Sequence, residues 1–338
     1  MLANYIPIGG ASVIYTTSKW LSLPLTKIFV LLLFSSIMFI SVFINLGVIA
    51  ACFYRRFNSP MLLYIALASI ADTSWGIVGI SCFLNSTIAS RQEISFSECL
   101  LQLFCIHISN FQQSLTMWLM YVDRHWAVFY PYSYVALIVN KGGALKFATL
   151  VWTIGFVSFV FVTTQLKFCK HSLTIDDAIC SFLSLSKSAC GNINFPATYT
   201  LSALLLILGL TGCTAMFSTL CIIRKCRKSS AAANIKALST CFTQLFVLLT
   251  YFMSLGFIFA LKKITKHTAV NFIMNLSVVI TPATLNPLIF GLRTQEIRLL
   301  FIRGYSKLRS VQKQSSQTSV LTRNSSIKMQ KKIRNIVF

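Results

Sequence analysis

An aspartate and an arginine stand side by side at Asp123 and Arg124, where a long uncharged stretch over residues 99–122 ends. Burying two such charges at the end of a membrane helix is costly unless they pair. An acid-arginine pair at the mouth of a helical bundle is a switch, because a partner can separate the two charges. We predict that Asp123 and Arg124 pair in the resting state and that Arg124 turns toward a partner on activation.

A second candidate site lies deeper in the apolar part of the chain. Asp72 interrupts an otherwise uncharged region over residues 57–90, and a carboxyl group inside a membrane is usually functional. Asn45 and Asn286 are the polar residues that we expect near it. The pattern predicts a polar core that holds water or a sodium ion, and a protonated aspartate with a structural role is the alternative.

Pro287 directly follows Asn286 inside the last apolar stretch. A proline in a helix removes one hydrogen bond of the backbone ladder and bends the helix at that point. The pattern therefore predicts a kink that can serve as a hinge between two arrangements of the inner face.

The elements that must hold these residues are membrane spans. Hydrophobic residues make up 56% of the 338 residues, charged residues 11%, and the mean hydropathy is +0.73. A soluble domain carries about 25% charged residues, so an ordinary soluble protein is excluded. Seven uncharged runs are long enough to cross a bilayer: residues 28–54, 57–71 with 73–90, 99–122, 147–166, 188–223, 237–261 and 268–292. Asn192, Asn194 and Pro196 indicate that the fifth helix starts near Pro196.

The distribution of the net charge of +23 sets the orientation. Most of the Lys and Arg residues fall in segments that are inside if the N-terminus is outside, which is the positive-inside pattern. We therefore predict an all-α membrane protein, a seven-helix bundle with the N-terminus out and the C-terminus in. Its parts are an extracellular segment at 1–27, the bundle at 28–292, an amphipathic surface helix at 293–309 and a disordered basic tail at 310–338. The first 27 residues lack the order of a cleavable signal peptide.

Several function classes lack the residues they need. The sequence has no Gly-x-Ser-x-Gly elbow, no HExxH and no phosphate loop, so we predict no enzyme. The four histidines, His107, His125, His171 and His267, fall at different depths and predict no metal site. The basic charge comes without a nucleic-acid-binding motif. A transporter is the rival membrane function, but Asp72 is the one clear charge in the middle of a span.

Four of the eleven cysteines fall on the outer side: Cys99, Cys169, Cys180 and Cys190. Four cysteines allow three sets of disulfide bonds, and their sequence positions leave the choice open, as they do the alternative of free thiols. A bridge from Cys99 would fix the long outer loop over the mouth of the bundle. Asn85 begins an Asn-Ser-Thr glycosylation sequon near the outer end of the second span.

A ligand cavity is expected in the outer half of the third, fifth and sixth helices. Spacings of three and four residues place His107, Asn110 and Phe111 on one side of the third helix. The candidates form a mostly apolar wall with few polar groups, and core packing is the plainer interpretation. They are Ile106, His107, Asn110, Phe111, Tyr199, Ser202, Tyr251, Phe252, Leu255 and Phe259.

Five segments in order resemble the odorant (olfactory) receptors, a branch of the rhodopsin-like G-protein-coupled receptors. Pro60-Met61 with Asp72 resembles the family's second helix, and Met120–Tyr134 is similar to MAYDRYVAICxPLxY. Residues 236–241, Lys-Ala-Leu-Ser-Thr-Cys, are similar to KAFSTC, and residues 282–290 resemble PMLNPFIY. The outer cysteines are the fifth mark. The resemblance covers roughly residues 28–302 and implies the disulfide bonds Cys99–Cys180 and Cys169–Cys190.

The resemblance also implies a function. It implies a plasma-membrane receptor that binds a small molecule and activates a heterotrimeric G protein of the stimulatory, olfactory type. Asp123, Arg124, Asn286, Pro287 and Phe290 would form the switch.

Four positions depart from the family pattern, the first of them Ile44, where the family has a glycine before Asn45. His125 stands for a tyrosine, Phe290 for another tyrosine, and Gln113 for a glutamate, which makes a sodium site beside Asp72 weaker. A non-olfactory or weakly coupling receptor is the alternative.

Overall fold

The fold comes from a computed structural model of the whole chain. The structure describes residues 12–15, 24–57, 59–87, 93–139, 142–164, 172–175, 180, 182, 185, 194–228, 235, 238–243, 245–250, 252–253, 281, 283–291, 294, 297–300 and 302. The chain divides into two compact units, Met1–Phe290 and Gly291–Phe338. The second unit is helical at residues 297–300 and 302, and the backbone N–H of Arg298 donates to Thr294 O.

The first unit is built of long helices and three short strands. In chain order these elements are β1 (Ser12–Tyr15), α1 (Pro24–Tyr54), α2 (Pro60–Thr87), β2 (Glu93–Ser95), α3 (Phe96–Phe129), α4 (Pro131–Tyr134), a π-helical turn (Val135–Val139), α5 (Gly143–Thr164), β3 (Ser172–Ile175) and α6 (Asn194–Lys228). Helical residues at 238–243 and 245–250 are called α7, and those at 283–290 are called α8. The helices α1, α2, α3, α5 and α6 fall on the first five predicted spans.

Local sequence explains several helix boundaries. The helix α2 begins at Pro60, and proline is favoured at a first helical position because its missing N–H would have no partner there. Ser95 and Glu98 cap the start of α3: the Glu98 N–H donates to Ser95 Oγ and the Ser95 N–H donates to Glu98 Oε2. Pro131 then forces a new start, because a proline cannot continue the ladder of α3.

Four helical segments in the described part of the chain are long and apolar enough to cross a membrane: Leu32–Tyr54, Pro60–Val78, Gly143–Thr164 and Thr198–Lys228. Their outward faces carry large apolar side chains, such as Phe43 at 77% exposed and Leu206 at 71% exposed. This arrangement suits lipid and not water as the surrounding solvent. The four apolar segments and their apolar outward faces together identify a helical, multi-pass membrane protein.

The helix α3 lies at the centre of the bundle. It packs against α2, α5 and α6, while α2 packs on its other side against α1. Its 34 residues extend over about 50 Å, which exceeds the roughly 30 Å of a hydrocarbon core. Gly155 of α5 permits close packing here, because an added Cβ would lie 2.8 Å from Phe111 Cδ1. Central position and length together place the two ends of α3 at opposite faces of the bundle.

One end of α3 is joined to the three strands. The strand β1 lies between β2, to which it is antiparallel, and β3, to which it is parallel. A disulfide bond joins Cys99 at the start of α3 to Cys180, with the two Cα atoms 5.4 Å apart. Apolar side chains surround this bond: Ile94, Phe96, Leu103, Val162, Phe182 and Leu185. The N-terminal strand and the disulfide bond are therefore on the same side of the bundle.

Candidate functional site

The Asp123–Arg124 pair lies in the last two turns of α3, on the end away from the disulfide bond. Asp123 is 5% exposed. Its Oδ1 accepts a hydrogen bond of 2.9 Å from the Tyr134 hydroxyl. Tyr134 is the last residue of α4, the short helix that begins at Pro131 after α3 ends. Burial raises the pKa of Tyr134, and the nearby Asp123 carboxylate raises it further. The Tyr134 hydroxyl therefore keeps the proton that it donates.

The predicted ion pair between Asp123 and Arg124 is not the contact that the structure shows. Asp123 bonds to Tyr134 instead, and within the described residues neither Asp123 Oδ2 nor Arg124 Nε has a hydrogen-bond partner. Successive residues on a helix point about 100° apart, so adjacent side chains do not face each other. The two charges are neighbours and interact electrostatically, but the hydrogen bond that the described residues give the carboxylate comes from Tyr134.

Asp72 and Asn286 form the polar contact at the middle of the bundle. The Asn286 side-chain amide donates to both carboxylate oxygens of Asp72, at 3.0 and 3.3 Å, and each residue is 2% exposed. One amide donor therefore ties α2 to α8. Pro287, next to Asn286, is also buried, and Phe290 at the end of this helical segment is 2% exposed.

Asn45 lies in the same region but bonds to backbone and not to Asp72. Its amide donates to Ala283 O at 2.9 Å and to Ser41 O at 3.0 Å, and the Ser41 hydroxyl also donates to Ala283 O. Polar contacts of this kind join helices where a purely apolar surface would give no directional bond. Asn45 thus ties α1 to α8, as Asn286 ties α2 to α8.

Gln113 lies beside a small cavity, and neither of its side-chain amide atoms has a hydrogen-bond partner among the described residues. Asn286 lines the same cavity, which has room for about one water molecule. Its other walls are Ser114, Met117, Leu208, Thr211, Val247 and Leu248. Asp72, Gln113 and Asn286 are all buried polar groups, and a polar core that holds water or a sodium ion stays a prediction.

The residues that were predicted to bind a ligand face different neighbours. Ile106 packs with Val78 of α2. The His107 ring stacks on Phe111, with 6.2 Å between ring centroids, and lies 5.6 Å from the Phe159 ring of α5. Residues 106 and 107 point about 100° apart on a helix, so their side chains contact different neighbours.

The other described candidates have contacts of their own. Tyr199 of α6 contacts the Phe161 ring of α5 at 5.2 Å, while Ser202 is exposed and its hydroxyl donates to Tyr199 O. Phe252 packs against Tyr121. Asn110 is half-buried. Tyr251, Leu255 and Phe259 lie outside the described residues, so the ligand pocket stays a prediction.

The structure describes the predicted disulfide bonds and the predicted glycosylation site only in part. The bond Cys99–Cys180, one of the two pairs that the resemblance implies, is present. Its partner pair, Cys169 and Cys190, lies outside the described residues. The backbone of Asn85 is helical, near the end of α2.

Polar contacts between α3 and α6 are the feature that the sequence did not indicate. The Trp118 indole N–H donates to the Thr214 hydroxyl at 3.2 Å, and the Ser218 hydroxyl donates to Tyr121 O at 3.5 Å. Closer to the end of the two helices, the Lys225 ammonium group donates to Val128 O. Hydroxyl residues at spacings of four along α6 were the available signal.

Known proteins share this pattern along most of the chain. The sequence profile of the family described as olfactory receptor matches residues 29–307. Human olfactory receptor 52N2 is 28% identical over 305 residues, which covers 87% of this chain and 91% of that receptor. Human olfactory receptor 52D1 is 30% identical over 249 residues, or 71% and 77% of the two chains. Human olfactory receptor 52N4 is 27% identical over 310 residues, or 89% and 92%.

The match extends well beyond half of the chain, and it includes the Asp123–Tyr134 contact, the polar contact between α2 and α8 and the disulfide bond. The expectation that the chain is not an enzyme is confirmed by this match. The chain belongs to the olfactory receptor family of G-protein-coupled receptors.

Proposed function

We propose that the chain is an odorant receptor of the plasma membrane that crosses the bilayer seven times. It binds a small molecule in the outer half of the bundle and activates a heterotrimeric G protein of the stimulatory, olfactory type. Ligand binding acts by shifting an equilibrium between a closed and an open inner face. The bilayer is its third partner, through the apolar outward faces of the helices.

The observation that carries this proposal is the set of contacts that Asp123 and Arg124 make at the end of α3. The Asp123 carboxylate is buried and accepts its hydrogen bond from Tyr134, while the neighbouring Arg124 acts on it through the electrostatic attraction of adjacent charges. An arginine in this position can exchange its surroundings for the groups of a partner without first breaking a strong ion pair. That is the property that a coupling switch requires.

The two ends of the bundle support the orientation with the N-terminus outside. Disulfide bonds persist on the oxidising side of a membrane, so the Cys99–Cys180 end is the outer one. The strand β1 pairs with β2 beside that bond. The basic last turn of α6, with Lys225, Arg227 and Lys228, is the inner end of that helix.

The test of the proposal is a cAMP assay in cells that co-express the full chain and an olfactory-type stimulatory G protein. A broad panel of small molecules supplies the stimulus. We expect at least one ligand to raise cAMP and the Arg124→Ala variant to lose at least about 90% of that response, because the guanidinium that meets the G protein is gone.

Lys146→Met is the matched control, because it removes an exposed cation from the inner end of α5. It should respond as the wild type does. Silence of the wild type with verified surface expression would shift the function to a weakly coupling receptor. A normal response of Arg124→Ala would remove Arg124 from the switch.

Removing the Tyr134 hydroxyl is expected to raise signalling without ligand. Tyr134→Phe leaves the buried Asp123 carboxylate without the one hydrogen bond that the described residues give it. A hydrogen bond to a charged group contributes about 1.5–3 kcal/mol, and about 1.4 kcal/mol is a factor of ten, so basal cAMP should rise about tenfold or more.

Tyr132→Phe is the control for Tyr134→Phe. It makes the same chemical change in the same short helix, but Tyr132 is 91% exposed. Basal cAMP per receptor at the surface should stay at the wild-type level. Equal basal signals from the two variants would show that the bond to Asp123 does not hold the resting state.

A weakly coupling receptor is the second candidate, and two observations favour it. Phe290 is buried and brings no hydroxyl to the switch region. The His125 ring, next to Arg124, stacks on Phe129 at 4.6 Å and thus lies in an aromatic cluster. High surface expression with no response in the cAMP assay is the outcome that this candidate predicts.

A further inference from the structure

The inner end of α3 carries a carbonyl group that its own helix leaves without a partner. The last four carbonyls of a helix have no intrahelical donor, and Val128 is the penultimate residue of α3. The Lys225 ammonium group, from the last turn of α6, donates a hydrogen bond to Val128 O. A cation is also the favoured charge at a helix C-terminus, because the helix dipole is negative there.

The same ammonium group lies over an aromatic ring. Lys225 Nζ is 5.0 Å from the centroid of the Phe129 ring, within the range of a cation–π interaction. Phe129 stacks on His125 one helical turn back, with 4.6 Å between centroids and 25° between planes. His125 in turn lies 5.4 Å from Phe217 of α6.

These four side chains alternate between the two helices. Lys225 and Phe217 come from α6, about two turns apart, and they enclose His125 and Phe129 of α3. We call this set the inner clasp: His125, Phe129, Phe217 and Lys225. It begins at the residue directly after Arg124, so any movement of the end of α3 away from α6 must break it.

Positive charge at the inner ends of membrane helices usually serves orientation alone. Lys225 differs from the other basic residues of its turn in burial. Arg224, Arg227 and Lys228 are exposed, whereas Lys225 is half-buried and has two contacts with α3. General membrane orientation does not require either contact.

We propose that Lys225 is a positioning residue for the coupling switch. Its ammonium group holds the last turn of α3 against α6 through Val128 O and the Phe129 ring, and so stabilises the closed inner face. The inference rests on the proposed function, since it assumes that opening of the inner face carries the signal. His125, at the position where the family has a tyrosine, contributes its ring to the clasp.

The test compares three variants of the full-length receptor. Lys225→Met removes the cation and the donor but keeps a long side chain, and Lys225→Arg keeps a cation, donors and the cation–π contact. Lys146→Met removes an exposed inner cation from α5. Basal cAMP per surface receptor is one readout, and amide hydrogen exchange of residues 126–134 in purified receptor in lipid nanodiscs is the other.

We expect Lys225→Met to raise basal cAMP about fivefold, the lower end of typical coupling between sites. Amide exchange in the last turn of α3 should accelerate about tenfold, because that turn is no longer held against α6. Lys225→Arg should remain within about twofold of the wild type in both readouts, by the same scale. Lys146→Met should change neither.

Each contrary outcome has a distinct meaning. Unchanged exchange in Lys225→Met would overturn the inner clasp, whatever the signalling shows. Faster exchange with unchanged basal cAMP, in a receptor whose ligand response Arg124→Ala abolishes, would overturn the positioning role. Faster exchange in a chain that gives no cAMP response at all would contradict the proposed function, and the positioning role with it, while the contact itself would stand.

Discussion

Replacing Cys99 with serine is expected to lower the free energy of unfolding by about 4 kcal/mol and to remove most of the receptor from the cell surface. The bond from Cys99 to Cys180 closes a loop over a sequence separation of 81 residues. In the chain-entropy account, a loop of this length restricts the unfolded chain strongly, and the restriction disappears with the bond.

The loss of the bond also affects the packing of the outer end. Gln102, one turn into α3, accepts a hydrogen bond of 3.3 Å from the Cys180 backbone N–H. Both cysteines belong to the apolar cluster that includes Leu103 and Phe182. Without the bond, non-covalent contacts of this kind must hold Cys180 against α3, so we expect the packing at the mouth of the bundle to loosen.

The measurement is the thermal unfolding midpoint of purified receptor, together with antibody staining of intact cells. A loss of about 4 kcal/mol should lower the midpoint by roughly 6 °C in a protein of this size. Surface staining should fall by more than half, because a marginally stable protein is removed before it reaches the surface.

Cys105→Ser is the matched control, because Cys105 is a free, half-buried thiol on the same helix. It should change the midpoint by no more than about 2 °C, as a mild single substitution does. Cys180→Ser should equal Cys99→Ser, and the double variant should be no worse than either, because both remove one bond. Additive losses would show that the two cysteines act separately.

The sequence predicted where helices occur better than where they end. The uncharged run at 99–122 corresponds to α3, but the helix runs from Phe96 to Phe129. Charged residues such as Glu98 and Arg124 end an apolar run without ending a helix, because they form backbone hydrogen bonds as well as any residue. Hydropathy therefore locates the bilayer, while caps and prolines locate the helix ends.

The strands could not be predicted from local pattern. The strand β1 has four residues and pairs with β2 and β3, which follow it by about 80 and 160 positions. Strands this short have no periodicity that stands out from chance. Their existence depends on the disulfide bond and the helices that bring the three segments together.

In the candidate site, residue types were predicted more reliably than contacts. Asp72 and Asn286 were expected to be neighbours because polar groups inside a bilayer must find each other, and they are bonded. The bond from Tyr134 to Asp123 depends on the reversal at Pro131, which a linear pattern does not show. In the sequence Lys225 is one of many inner cations, and its contact with Val128 O follows only from the packing of α3 against α6.

Removing the Asn286 amide is expected to destabilise the protein and to weaken its response to ligand. In Asn286→Leu, the buried Asp72 carboxyl loses the two hydrogen bonds that the described residues give it. A buried polar group without a partner costs about 1–3 kcal/mol. Because this bond ties α2 to α8 next to Pro287, its loss should also reduce the cAMP response to a ligand about tenfold, within the usual range of coupling between sites.

A double-mutant cycle separates the bond from other effects of the substitution. Asp72→Leu and Asn286→Leu, alone and together, are compared by unfolding in mixed detergent–lipid micelles. We expect a coupling energy of about 1–2 kcal/mol, since hydrogen bonds between membrane helices reach about that size. Asp72→Leu combined with Trp118→Phe is the control pair, because Trp118 bonds to Thr214 and not to Asp72.

The control pair should be additive within about 0.5 kcal/mol, because the two sites share no described contact. Coupling below that value between positions 72 and 286 would show that the two residues are neighbours without a stabilising bond. The signalling loss would then need a different origin, such as the kink predicted at Pro287. Coupling of the expected size, together with a weaker ligand response in both single variants, would establish that the same hydrogen bond stabilises the bundle and transmits the signal through α8.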